Sequence, residues 1–128
     1  MEKKILLFGF DSLLTILALE AATGAFGVEL VPVARQDYNV PMGVLAGVDT
    51  ASSPSQPYAG LSLGGRMMVL CGLEKELEAL LPELRKAGAG ADCLKAVLTE
   101  HNRKWSAVAL FAELERERQA FAQKAGQS

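Results

Sequence analysis

The sequence has little of what several functional classes require. It contains one histidine, two cysteines and no excess of basic charge, because 13 Lys and Arg stand against 15 Asp and Glu. A net charge of −2 argues against nucleic-acid binding, which needs a basic surface. The single His and the well separated Cys71 and Cys93 are too few for a metal site. We therefore expect no metal and no cofactor.

Long apolar runs are also absent. Asp11 and Glu20 interrupt the apolar stretch that follows Lys3 and Lys4, which argues against a signal peptide and a membrane span. Two cysteines in apolar surroundings are typical of buried, reduced thiols in a cytoplasmic protein. The length suits one domain, so we expect a cytoplasmic protein with a single domain over residues 1–128.

Charge is scarce in the first half of the chain. Residues 1–64 contain three basic and six acidic residues, whereas residues 65–128 contain ten and nine. The apolar residues of such a charge-poor half must be shielded from water. This half forms the core side of the domain, or it also supplies an oligomer interface. On the second interpretation we expect a homodimer.

A pattern occurs twice in the chain. Segments 4–11, KILLFGFD, and 67–74, MMVLCGLE, share an apolar run, a glycine, an apolar residue and an acid. Short unbroken apolar runs predict strands buried on both faces. A helical stretch follows each run, and then a second strand, at 28–33 and 93–98. Pro82 lies inside the second helical stretch and predicts a kink or a break there.

These elements form two β-α-β-α repeats in the halves 1–48 and 66–122, joined by a Ser-, Pro- and Gly-rich loop, 49–65. We expect an α/β fold with one four-stranded sheet, helices packed on it and parallel strands within each repeat. The first helices of the two repeats should pack on the same sheet. If the repeats meet in parallel, the fold is a three-layer α/β fold. If they meet antiparallel, it is a ferredoxin-like α+β sandwich with an extra C-terminal helix.

Two polar segments follow the second strands of the repeats. The first polar segment is ARQDYN, 34–39, and the second polar segment is TEHNRKW, 99–105. Ligands bind at the carboxyl ends of strands in open α/β sheets. Paired arginines can hold a carboxylate or phosphate, and a histidine can transfer a proton near neutral pH. The candidate ligand-binding residues are Arg35, Asp37, Tyr38, Thr99, His101, Asn102, Arg103 and Trp105; no residue is assigned as catalytic.

The same residues also suit a simple corner between strand and helix. Thr99 or Asn102 is a typical helix cap, and Trp105 would open the apolar face of the last helix. We therefore favour a non-enzymatic α/β module that binds a partner protein or a small anion. The alternative is a small enzyme or metabolite binder with its site between 35–39 and 99–105. One pocket lined by both segments would favour that alternative.

The second half resembles a known family. LKAVLTEHNRKW, preceded by MMVLCGLEKELEALLPELRKAG, is similar to the bacterial domain of unknown function 3783 family, over residues 66–118. The segment DYNVPMGVLAG forms a weaker second block. The resemblance implies a bacterial cytoplasmic protein and no particular reaction. It also implies that Thr99, Asn102 and Trp105 characterise the turn more than His101 does.

Overall fold

Two short apolar strands form the centre of a four-stranded sheet. The computed structural model describes residues 2–50, 54 and 56–126. The sheet has the order β2-β1-β3-β4. β1 and β3 are antiparallel, and each pairs in parallel with the second strand of its own half. The predicted α/β fold with one four-stranded sheet is confirmed. The strands are β1 (Lys4–Phe8), β2 (Glu29–Pro32), β3 (Arg66–Cys71) and β4 (Cys93–Val97).

Helices cover both faces of this sheet. On one face α1 and α3 pack together, with Leu19, Leu80 and Leu84 against Ile5 and Leu7. On the other face lie α2, the start of α4 and parts of both polar segments. The prediction that the first helices of the two repeats share a sheet face is confirmed. The helices are α1 (Leu13–Thr23), α2 (Met42–Leu45), α3 (Leu77–Lys86) and α4 (Ala107–Gly126), with 3-10 turns at Gly24–Phe26, Arg35–Asp37 and Asn102–Lys104.

The unbroken apolar run of β1 follows from this layering. Ile5 and Leu7 face α1 and α3, whereas Leu6 and Phe8 face α2 and the polar segments. All four side chains are buried. Burial of one such side chain stabilises a fold by about 1.5–3 kcal/mol. A strand that alternated apolar and polar residues would bury only two of these four side chains and would lose half of the total stabilisation. The predicted burial of the central strands on both faces is confirmed.

The two halves meet antiparallel, but they do not form a ferredoxin-like sandwich. In that sandwich another strand separates the two strands of each β-α-β unit. Here β1 is the direct neighbour of β2, and β3 of β4. The ferredoxin-like alternative is therefore wrong. The structure combines an antiparallel junction with the three-layer arrangement that the sequence linked to a parallel one.

The pairing of β1 with β3 is symmetric with respect to the repeated pattern. Lys4 begins the first repeat and pairs with Cys71, and Met67 begins the second and pairs with Phe8. Exchanging the two repeats leaves this pairing unchanged. Two copies of one β-α-β unit around a two-fold axis would have the same register. Duplication remains a prediction, and this register agrees with it.

Pro82 does not break helix α3, although the sequence predicts a kink or a break there. The helix starts at Leu77 and runs without a break to Lys86. Proline removes one N–H from a helix and leaves the carbonyl four residues earlier without its donor. That carbonyl belongs to Glu78, which is exposed to water. Water can satisfy the carbonyl, while Leu80 and Leu84 hold the helix on the sheet.

The linking segment contacts the first polar segment. Residues 49, 50, 54 and 56–65 contain no helix or strand, and residues 51–53 and 55 of the predicted loop lie outside the described residues. The backbone N–H of Tyr58 donates to the Gln36 carbonyl at 2.9 Å. The rings of Tyr58 and Tyr38 lie 5.9 Å apart. The later part of this loop is therefore packed on the domain.

Both edge strands carry features that hinder pairing with another strand. Pro32 gives β2 no N–H to donate at that position. On β4, the Lys95 amine donates to the Gly90 and Cys93 carbonyls, at 2.9 and 3.2 Å. The Asn102 amide donates to the Val97 carbonyl at 3.0 Å. Side chains thus occupy backbone acceptors of β4 that a partner strand would need.

Two further sequence predictions concern the cysteines and the membrane. Cys71 and Cys93 are free and buried, as predicted. Burial raises the pKa of the Cys71 thiol to about 11 and also raises the pKa of the Cys93 thiol. Both thiols are therefore protonated at neutral pH and poor nucleophiles. In the described part of the chain, no helix has the length and apolar character needed to cross a bilayer.

Candidate functional site

The two polar segments meet through their backbones. The Tyr38 carbonyl accepts a hydrogen bond from the Ala107 N–H at 3.1 Å, and the Trp105 carbonyl accepts one from the Met42 N–H at 2.9 Å. Each bond joins one polar segment to the first residue of the helix that follows the other segment. The contact is reciprocal between the halves. It uses main-chain atoms and leaves the candidate side chains outside it.

The second polar segment is a turn closed by its own side chains. The Thr99 N–H donates to Asn102 Oδ1 at 2.9 Å, and the Asn102 N–H donates to Thr99 Oγ1 at 3.1 Å. Neither residue caps α4, which differs from the predicted corner. Ser106 does so, because its hydroxyl accepts from the Ala109 N–H at 3.2 Å. Thr99 and Asn102 instead bond to each other's backbone N–H and so close the turn that leads into the 3-10 segment Asn102–Lys104.

This geometry predicts different stability effects for two neighbouring residues. Asn102→Ala should lower the free energy of unfolding by about 2 kcal/mol, because two side-chain hydrogen bonds disappear, one from the Thr99 N–H and one to the Val97 carbonyl of β4. His101→Ala should change it by about 0.5 kcal/mol, since the side chain is exposed. Urea unfolding followed by far-UV circular dichroism measures both. Equal losses would contradict this description of the turn.

The arginines of the two segments lie in different surroundings. Arg103 Nη1 donates to Glu100 at 3.2 Å, and Arg103 Nε lies 3.5 Å from Asp49 Oδ2, an ion pair without a hydrogen bond. Two carboxylates therefore hold the Arg103 guanidinium. Arg35 is exposed on the other segment, in the 3-10 turn with the half-buried Asp37.

The clefts beside the two segments are separate. One of about 210 Å³ is lined by Gln36, Asp37 and Asn39 of the first polar segment. Another of about 420 Å³ lies beside the second polar segment. A third, of about 240 Å³, is lined by Arg103 and Glu100. Of the candidate residues, Thr99, His101, Asn102 and Trp105 line the same cleft, while Arg35, Asp37, Tyr38 and Arg103 do not line it.

The larger cleft runs between the second polar segment and α4. The His101 ring meets the Trp105 ring edge-on, with centroids 5.0 Å apart. Glu113, Leu114 and Glu117 of α4 form the opposite side. Leu114 and Glu117 also line a neighbouring cleft of about 480 Å³ beside β4, which Phe121 borders. We call these two clefts, which share Leu114 and Glu117, the α4 groove.

Sequence reasoning missed the acidic side of this groove. Glu113 and Glu117 are not among the candidate residues of the sequence analysis. Glu113 pairs with Arg116, which raises the pKa of the Arg116 guanidinium. The available signal was the spacing of Leu110, Leu114 and Phe121, which places them on one helix face. Glu117 falls within that apolar stripe.

A second unassigned surface lies on the opposite face of the sheet. Leu13, Leu14 and Leu17 of α1 are 69%, 80% and 51% exposed. The buried residues of α1, Leu19 and Thr23, lie on its other side. We call the three exposed residues the leucine surface. Helix α1 thus contributes buried residues to the core and also exposes the leucine surface; an oligomer interface of the first half stays a prediction.

Residues 66–121 match the family described as a domain of unknown function, DUF3783. The matched part begins with β3 and extends into α4, so it contains the α4 groove but not the leucine surface. The predicted resemblance is confirmed for this part of the chain. Among curated proteins and among solved structures, no significant match is found. In the described residues, no group of three or more His, Cys, Asp and Glu side chains is placed to hold a metal ion.

Proposed function

With residues 66–121 assigned to the DUF3783 family, we propose that the chain is a non-enzymatic, cytoplasmic protein-interaction module. We propose further that it forms a homodimer through the leucine surface of α1. The observation that carries this proposal is the exposure of three neighbouring leucines on one helix. Single exposed leucines are ordinary, whereas a contiguous apolar patch marks an interaction site.

A second copy of the chain fits this surface. Leu14, Leu17 and Ala21 follow one another at spacings of three and four residues, which forms a stripe suited to packing against another helix. Glu20 is the one charged residue between Leu13 and Thr23. Two copies of α1 can therefore approach each other around a two-fold axis with little repulsion between like charges.

The remaining features support the other parts of the proposal. Thr99 and Asn102 are engaged in closing a turn, and Arg103 is held by carboxylates. These side chains therefore act as structure in the second polar segment, which favours a binding module over an enzyme. Free, buried thiols are ordinary in a reducing compartment. Pro32 removes a donor from edge strand β2, and side chains occupy acceptors of edge strand β4. The helices therefore remain as the surfaces for association.

Light scattering of the purified chain tests the homodimer. We expect a mass of two chains for the unchanged protein and of one chain for Leu14→Glu. A dimer buries two copies of Leu14, worth about 3–6 kcal/mol together, so the dissociation constant should rise about 100-fold or more.

Leu61→Glu is the matched control for this experiment. Leu61 is 83% exposed but lies in the linking segment, away from α1. The same change there should leave the mass of two chains intact. A monomeric unchanged protein at high concentration would refute the homodimer, as would equal dissociation by both substitutions.

A further inference from the structure

The α4 groove combines carboxylates with an aromatic surface. We propose that it binds a segment of a partner protein that carries an arginine or lysine between apolar residues. In this arrangement the cation lies against Trp105 and Glu117, and the apolar residues lie along Leu114 and Phe121. The site is on the sheet face opposite to the leucine surface and is independent of the homodimer.

The charge of the groove selects a cation. Apart from His101, the ionisable residues that line the cleft beside Trp105 are Glu113 and Glu117, and no lysine or arginine lines that cleft in the described part of the chain. An anion would meet two carboxylates there. A guanidinium or ammonium group would receive charge-assisted hydrogen bonds, and it would be attracted to the face of the indole ring.

Glu117 is the carboxylate of the groove with which an incoming cation can form an ion pair without displacing another cation. Glu113 pairs with Arg116, and Glu115 pairs with Arg118. Among the side chains that the structure describes, Glu117 has no ion-pair partner. It lines both clefts of the groove. Glu117 lies between Leu114 and Phe121, so the stripe buries less apolar surface against a partner than it would with an apolar residue there. A basic residue on the partner that pairs with Glu117 would explain why an acid occupies this position.

The cleft beside β4 favours a chain segment over a single metabolite. Lys95 and Arg118 line this cleft. Both are already engaged, because the Lys95 amine donates to two carbonyls and Arg118 pairs with Glu115. Phe121 is 76% exposed beside it. The two clefts measure about 420 and 480 Å³, and each alone is the size of a small-molecule site. Because the two clefts follow one another along α4, they suit an extended peptide segment with apolar residues beside its cation.

The chain contains one tryptophan, and it lines the groove, so intrinsic fluorescence reports binding directly. The probe is a blocked hexapeptide, Leu-Arg-Leu-Leu-Arg-Ala, compared with its twin in which citrulline replaces arginine. We expect a saturable change in Trp105 emission with the arginine peptide. Binding should be at least about tenfold weaker for the citrulline peptide, which corresponds to 1.4 kcal/mol. It should also weaken with added salt.

Two variants locate the charge. Glu117→Gln should weaken binding of the arginine peptide by about tenfold. Glu78→Gln removes the same charge from an exposed residue of α3, on the opposite face of the sheet and outside the groove, and should leave binding unchanged.

Any one of four results would overturn the proposal. The first is equal binding of the arginine and citrulline peptides, and the second is equal effects of the two variants. The third is the lack of a saturable response both in fluorescence and in calorimetry. The fourth would come from a titration with arginine amide alone, which should bind at least about tenfold more weakly than the peptide. Equal affinity would mean that the groove takes a small cation, and would refute the docking of a partner segment.

Discussion

Tyr38→Ala is expected to lower the free energy of unfolding by about 3–5 kcal/mol, as for a large aromatic side chain removed from a core. Tyr38 is 4% exposed and belongs to the first polar segment. Its ring lies 5.9 Å from Phe8 of the central strand and 5.9 Å from Tyr58 of the linking segment. Its carbonyl accepts from Ala107 at the start of α4. A cavity at this position would therefore loosen contacts in both halves of the chain.

The measurement can also test whether residues 1–128 form one domain. Far-UV circular dichroism follows both halves in urea, whereas fluorescence of Trp105 follows the second half. Because β1 and β3 share one ladder, both probes should report the same lowered midpoint for Tyr38→Ala. Tyr38→Phe is the control. No protein hydrogen bond to the hydroxyl is found in the described residues, so the change should be about 0.5 kcal/mol.

An unchanged fluorescence midpoint in Tyr38→Ala, beside a lowered midpoint by circular dichroism, would show that the halves unfold separately. That result would refute the single domain and leave the symmetric register as a contact between two domains.

Local patterns predicted the strands and their burial, but not how the halves meet. A run such as Ile5–Phe8 has an apolar residue at every position, and only a strand between two layers can bury all of them. The antiparallel junction of β1 with β3 depends on contacts across the whole chain, which no local pattern encodes. α1 shows the same limit. It is apolar on most sides, so its sequence cannot distinguish the buried Leu19 from the exposed Leu14.

The candidate site shows where local reasoning ends. Thr99, Asn102 and Trp105 were predicted as a corner, and the hydrogen bonds of Thr99 and Asn102 close such a turn. Their capping of α4 was wrong because Ser106, four residues after Asn102, lies directly before the helix. Glu117 is separated from Trp105 by three turns of α4, so only the packing of α4 on β4 brings them to one cleft.

The two proposed binding surfaces lie on opposite faces of the sheet. The leucine surface lies on the face formed by α1 and α3, and the α4 groove lies on the face formed by α2 and α4. A homodimer through α1 would leave both grooves open to solvent. Each dimer would then present two binding sites for basic partner segments, and a partner with two such segments would gain affinity from both.

Gly9→Ala is expected to be among the most damaging single substitutions, with a loss of about 3 kcal/mol, although it adds one methyl group. Gly9 directly follows β1 and has a φ of +78°, and a Cβ there would lie 2.8 Å from the Gly65 carbonyl oxygen. The substitution therefore combines the cost of a left-handed alanine, about 1–2 kcal/mol, with a clash against the backbone that leads into β3. Gly27 has a φ of +70° with no atom within 4 Å of its Cβ position, so Gly27→Ala should cost only about 1 kcal/mol.

Urea unfolding of the two variants separates backbone strain from close approach. Equal losses would mean that the chain at Gly65 moves aside freely, and that the glycine in the repeated pattern serves the turn alone.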